Sequence, residues 1–203
     1  MEILVHPTYL PNIQHMAEIY NADSVLFEKW DNFQKQTLRN RSYIYGPNGK
    51  LQLVVPVHYT QKNRQYYKDV KIAYEEDWRL NHKRAIKTAY NTSPFFEFYA
   101  EEILSIFELK ETFLYDLNIK CAELFLELLD DQTTFKFSTN FEKNSSEFKD
   151  LRNEVNDKNG EESIFPSYNQ VFGQRHGFIP NLSFIDLLCN EGPQSSIYLK
   201  QLV

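Results

Sequence analysis

The order of elements at the start of the chain constrains the fold most. Glu2–His6 is a short apolar run of strand type. Pro7-Thr8-Tyr9-Leu10-Pro11-Asn12 follows, and its two prolines fix φ and make a rigid turn. Ile13, Met16, Ala17 and Tyr20 then recur at helical spacing, which predicts a helix over about 12–21. Asn21-Ala22-Asp23 ends it, and Ser24–Lys29 reads as a second strand. Strand, turn, helix and strand make a βαβ unit, whose two strands are parallel. In open sheets of this kind ligands bind beyond the carboxyl ends of the strands. That rule makes Tyr9, Asn12 and His15 candidates for ligand contact, with His6 in the same loop.

The remaining pattern agrees with an α/β chain. Ser42–Tyr45 and Lys50–Val57 flank Gly46-Pro47-Asn48-Gly49 and read as a hairpin. Lys71–Tyr74 is a further short strand. Trp78, His82, Ala85, Ile86 and Ala89 fall on one stripe and predict a helix over Asp77–Asn91. Helices follow over about Glu97–Glu108 and from a Thr112 N-cap onward, where Phe113, Leu117, Cys121, Leu124, Phe125 and Leu128 share a face. Thr133–Ser138 returns to strand. Lys143–Ser163 holds ten charged residues in twenty-one and reads as a mobile polar segment or lid with a weak helix inside. Ser183 and Asp186 are spaced as a capping pair at the start of a last helix. The expected fold is one α/β domain over 1–203, with a mostly parallel sheet opened by the βαβ unit and a helical C-terminal half.

Charge is unevenly distributed. Thirteen basic and five acidic residues lie between Lys29 and Lys87, a local excess of +8 in a chain whose net charge is −6. Such a stretch suggests a small anionic partner, a phosphate or nucleotide group, on the N-terminal half. Opposed acidic and basic faces, or lysines guarding strand edges, would give the same count. The acidic overall balance and the lack of a basic tail argue against nucleic acid. No apolar run reaches the length of a membrane span. The opening has no basic leader region, and Cys121 and Cys189 sit in apolar helical patterns as core thiols. The expected compartment is the reducing cytoplasm.

Recognisable catalytic motifs are absent from the sequence. It has no Gly-rich phosphate loop, nucleophile elbow, Cys-x-x-Cys or His-Glu-x-x-His. Its five histidines lack ligand spacing, so no metal site is expected, and the cofactor stays open. The candidates that remain are Lys35, Arg39, Asn40 and Arg41 in a polar connection between strands, with Arg84 beyond them. Arginine forks suit bidentate phosphate or carboxylate binding. His82 is a candidate pocket base or a satisfied core histidine. Gln174-Arg175-His176-Gly177 reads as a turn.

Three stretches resemble the WbqC-like protein family. They are Phe33–Arg41; Asp77-Trp78 through His82 with Ala89-Tyr90 and Ser93-Pro94-Phe95-Phe96-Glu97; and Tyr168–Leu188, which contains Gln174-Arg175-His176-Gly177-Phe178. The opening strand and Pro7-Thr8-Tyr9-Leu10-Pro11 fit as well. The chain departs from the family at His6, where most members carry Gln, and at Gln14-His15, where they carry Gly-Tyr. The resemblance implies a bacterial protein associated with O-antigen and other surface-polysaccharide gene clusters, of Bacteroidetes type. With the charge pattern it leads to an expected enzyme of group transfer, nucleotidyl or acyl, acting on a nucleotide-activated, phosphorylated or acyl-activated precursor. The alternative is a non-catalytic binding or scaffold protein of a glycan-assembly complex. The first loop also has a weak likeness to nucleotidylyltransferases, with His15 after Pro11 but Ile13 where a first histidine would stand.

Overall fold

A computed structural model of the protein describes residues 1–60, 64–143, 147–156 and 164–203. The opening unit forms as the pattern requires. Strand β1 (Glu2–Val5) leads through the Pro7–Pro11 turn into helix α1 (Ile13–Tyr20) and then β2 (Ser24–Phe27). β1 and β2 pair in parallel, Ile3 opposite Val25 and Val5 opposite Phe27. Asn12 caps α1, its side chain accepting from the His15 N–H at 2.9 Å. Ile13, Met16, Ala17 and Ile19 are buried against the core, and the helix packs on the two C-terminal helices described below.

The chain then leaves the sheet for a long excursion. β3 (Arg41–Gly46) and β4 (Gly49–Val54) make the antiparallel hairpin, joined by Pro47-Asn48. Gly49 closes that turn at φ +100°, a conformation only glycine adopts cheaply. β5 (Val57–His58) and β6 (Lys71–Ile72) form a second small antiparallel pair, with a 3-10 turn at Tyr67–Asp69 before β6. Helices α2 (Trp78–Tyr90), α3 (Phe96–Ser105) and α4 (Leu114–Leu128) follow. Asp77 caps α2 by accepting from Leu80 N–H. The expected Thr112 cap on α4 is displaced by one residue: Phe113 takes the capping position and makes no side-chain cap bond.

β7 (Thr134–Phe137) returns to the main sheet beside β2, and β8 (Lys149–Asp150) joins on the other side of β1. The order β7-β2-β1-β8 is parallel throughout. α5 (Gly173–His176), α6 (Phe184–Glu191) and α7 (Ser195–Lys200) complete the helical C-terminal region of this α/β fold. Ser183 caps α6, accepting from Ile185 N–H. Asp186 does not close a capping box. It is fully buried, accepting from Tyr168 Oη at 2.6 Å and Gln170 Nε2 at 2.8 Å, which ties residues 168–170 to the helix.

The polar stretch 143–163 is more structured than its composition suggests. It supplies β8 and a 3-10 turn at Arg152–Val155, with Leu151, Arg152 and Val155 buried. The parts of it at 144–146 and 157–163 lie outside the described residues. No helix among the described residues is long and apolar enough to cross a membrane.

Candidate functional site

β1 leads to β2 on one side, whereas β8 lies on its other side, so the connections diverge between β1 and β8. A crevice is expected beyond the carboxyl ends of the strands at such a switch point. The residue just past three of the four strand ends is polar: His6 after β1, Glu28 after β2 and Ser138 after β7. β8 itself ends on Asp150, and Arg152 follows two residues later. His6, Asp150 and Arg152 line a small polar cleft of about 150 Å³, whose walls also include Asp31, Arg39 and Lys143.

Glu28 and Arg152 tie the strand ends together. Both are almost fully buried, and their charged ends are 3.5 Å apart. Glu28 also accepts from Trp30 N–H at 2.7 Å and Ser138 Oγ at 2.8 Å. Arg152 grips Asp150 with Nε at 2.9 Å and Nη2 at 2.6 Å, and donates to the carbonyls of Glu142 and Lys143. One guanidinium thus anchors the loop at 141–143 over the cleft and holds Lys143 at its mouth.

The reactive face is made by His6, Asp31 and Arg39. His6 Nε2 lies 3.1 Å from Asp31 Oδ2, and Arg39 Nη2 lies 3.5 Å from the same oxygen. Asn118 of α4 donates to the Arg39 carbonyl at 2.6 Å, and Tyr67 Oη donates to the Pro7 carbonyl at 2.7 Å. The Arg39 guanidinium also stacks 5.4 Å from the Tyr67 ring. These buried contacts fix the loops carrying His6 and Arg39. Burial, and then the Arg39 charge, lower the His6 pKa to about 4 against the pull of Asp31, so the imidazole is neutral at neutral pH. Burial pushes the Asp31 carboxyl up, but the His6 contact and the charges of His6 and Arg39 outweigh it and hold the carboxyl below its ordinary value.

Among the described residues several buried polar atoms on this face have no well-formed hydrogen bond: Arg39 Nε, and both His6 ring nitrogens, which only approach the Asp31 carboxylate and the Glu28 main chain, with Thr8 Oγ1 in the same loop. The His6–Asp31 approach is close, but its angle falls short of a formed bond. Unpaired buried donors are costly, and their concentration at a cleft marks a place where a ligand or water supplies the partner.

The other residues expected from the sequence are dispersed. Tyr9 and His82 meet in the core, Tyr9 Oη 2.8 Å from His82 Nδ1, with the imidazole packed edge-on to Trp78 and Phe107. Burial lowers the His82 pKa to about 4. Asn12 is spent on capping α1. His15 is buried, its ring bonded to the His6 main chain, and burial lowers it to about 4. Asn40 is buried and donates to the Val55 carbonyl at 3.2 Å. Arg41 opens β3, half-buried, and Arg84 lies exposed on α2. Lys35 sits 5.1 Å over the Tyr59 ring. Of the expected set, Arg39 alone lines the cleft. His6, Asp31, Asp150 and Arg152 line it as well; the signal for three of these was their place at or near the ends of parallel strands. Among the described residues no His, Cys, Asp and Glu cluster is placed to hold a metal ion.

A second, larger cavity of about 970 Å³ adjoins the cleft. It is lined by Trp30, Asn32, Tyr59, Tyr66 and Lys71, and it shares Phe141 with the cleft.

No curated protein and no solved structure matches the chain. A model of the WbqC-like protein family matches residues 6–163, a span that contains every residue of the cleft and stops short of the 168–188 stretch. With most of its length inside that match, the chain belongs to the WbqC-like protein family.

Proposed function

We propose that the protein is a group-transfer enzyme acting on a small anionic, activated precursor in surface-polysaccharide assembly, with its site at the carboxyl end of the parallel sheet. One observation supports this above the others: incompletely satisfied buried polar atoms of His6 and Arg39 are gathered at the cleft beyond β1 and β8. In this reading Arg39 and Lys143 hold the anionic group by charge-assisted hydrogen bonds. His6 accepts or returns the proton of the attacking group, and Asp31 orients the imidazole and stabilises its charged form. A bound anion raises the His6 pKa towards neutrality, because an opposite charge favours the imidazolium. Membership of the family supports the polysaccharide context, and the geometry of the cleft supports the choice of site.

The test removes the proposed base and keeps the position polar. His6→Gln keeps a polar side chain but cannot transfer a proton near neutral pH. Loss of turnover by about a hundredfold or more, with precursor binding kept, is the result expected of a general base. Unchanged turnover would sink the acid–base assignment. Lys143→Ala, an exposed position, should weaken binding of the anionic precursor without altering stability.

The burial of both His6 nitrogens favours a second reading, a binding protein that recognises an anion without transforming it. Tight binding of a precursor with no product in a single-turnover experiment would select it.

A further inference from the structure

We propose that the large cavity beside the cleft is a nucleoside diphosphate site, so that the activated precursor is a nucleotide-sugar whose nucleoside lies between aromatic side chains. This rests on the functional reading above and names the chemistry of its substrate.

The cavity and the cleft are two sides of one ribbon. Phe33 N–H donates to the Gln65 carbonyl at 2.9 Å, Tyr67 N–H donates to the Asp31 carbonyl at 2.9 Å, and Asn32 bridges Tyr66. Side chains alternate along such paired segments. Asp31 therefore faces the cleft, whereas Trp30, Asn32 and Tyr66 line the cavity. Phe141 is common to the walls of both.

The walls suit a flat group carrying negative charge. Trp30 and Tyr66 stand edge to face at 5.8 Å, and Tyr66 and Phe141 each keep nearly half of their surface exposed. Exposed rings of this kind offer faces to a base or a sugar. Lys71 and Arg64 also line the cavity and are exposed, while its acid Asp69 is already paired with Lys68 at 2.9 Å. The wall thus has cations left over for a diphosphate. A neutral glycan would leave those cations unused. A bare phosphate would leave the rings unused. The cavity is at the upper end of small-molecule sites in size, whereas the cleft, at about 150 Å³, admits only one small group.

Titration calorimetry with uridine diphosphate, guanosine diphosphate and inorganic pyrophosphate tests this. At least one nucleoside diphosphate should bind about tenfold or more tightly than pyrophosphate, as one stacked base allows. Tyr66→Ala should erase that advantage, and Tyr66→Phe should restore it. Lys71→Ala should weaken nucleoside diphosphate and pyrophosphate alike. Equal affinity for all three compounds, no binding by any, or a Tyr66→Ala protein that keeps the advantage would overturn the assignment. If nucleoside diphosphates bind as expected but no nucleotide-sugar is turned over, the group-transfer reading falls and this one stands.

Discussion

Tyr9 Oη and His82 Nδ1 lie 2.8 Å apart inside the core, and each side chain is the other's polar partner. Tyr9 comes from the first loop and His82 from α2, so the bond links the βαβ unit to the helical region. Removing the imidazole strands a buried phenol and opens a void between Trp78 and Phe107. His82→Ala should therefore cost about 2–4 kcal/mol of stability. Urea denaturation measures the loss. Nucleotide or precursor binding by the folded fraction should match the unaltered protein; a binding or turnover defect at unchanged stability would return His82 to the active chemistry.

His6, His15 and His82 are all buried, and all are pushed down to about 4 from 6.5. Between those values the unfolded chain takes up protons that the folded chain refuses. The stability from neutral burial is complete above pH 6.5 and is lost as pH falls towards 4. Glu154 acts the other way. Burial, and then Glu18, raise it to about 7, so the folded chain holds one extra proton between its ordinary 4.5 and 7. Near pH 5.5 these groups leave a net deficit of about two protons in the fold, equivalent to about 2.7 kcal/mol per pH unit. Melting temperature should therefore fall steeply from pH 6.5 to 4.5. In His15→Gln, where the bond to the His6 main chain can be kept, the slope should fall by about one proton.

The parts of this molecule visible in the sequence are those whose residues repeat. The prolines of the first loop, the Gly46–Gly49 turn and the Trp78–Ala89 stripe each declare their element locally, and the structure forms them with ends shifted by a few residues. β8 does not repeat anything: it is two charged residues, Lys149 and Asp150, whose strand character comes only from pairing with Ile3 and Leu4. Without β8 there is no switch point and no reason to place Arg152 beside Glu28. The cleft was hidden for the same reason, because His6, Asp31 and Arg152 are brought together by topology and not by spacing. The basic excess was a real feature with a divided use: Arg39 enters the cleft, Arg64 and Lys71 line the cavity, and Lys83 pairs with Glu108. His82 occupied a stripe position that a core histidine and a pocket base would share, and only packing separates the two.

Gly192 sits at φ +53° where α6 gives way to the next turn, and a Cβ there would lie 2.5 Å from the Phe95 ring. Both backbone strain and overlap oppose any side chain. Phe95 is itself fixed, its N–H donating to the Cys189 carbonyl at 3.0 Å, so the ring has little freedom to withdraw. Gly192→Ala should destabilise the protein by about 2–4 kcal/mol. Phe95→Leu in the same chain should recover part of the loss by vacating the space, leaving mainly the strain. A substitution tolerated within about 0.5 kcal/mol would show that this junction is not held as described.

Glu28 and Arg152 form the buried pair that joins the ends of β2, β7 and β8, and their worth is best read by a double-mutant cycle. Arg152→Met removes the grip on Asp150 and leaves Glu28 as a buried carboxylate hydrogen-bonded, among the described residues, by Trp30 N–H and Ser138 Oγ. Breaking a buried pair from one side costs about 3–5 kcal/mol, because the remaining charge is uncompensated. Glu28→Gln in the same protein removes that charge while keeping the shape. The double variant should regain about 1–2 kcal/mol over Arg152→Met by chemical denaturation. It should not regain affinity for an anionic precursor, because the carbonyls of Glu142 and Lys143 lose the guanidinium that positions Lys143 over the cleft. Stability and binding recovering together would show that the loop at 141–143 is placed by something other than Arg152.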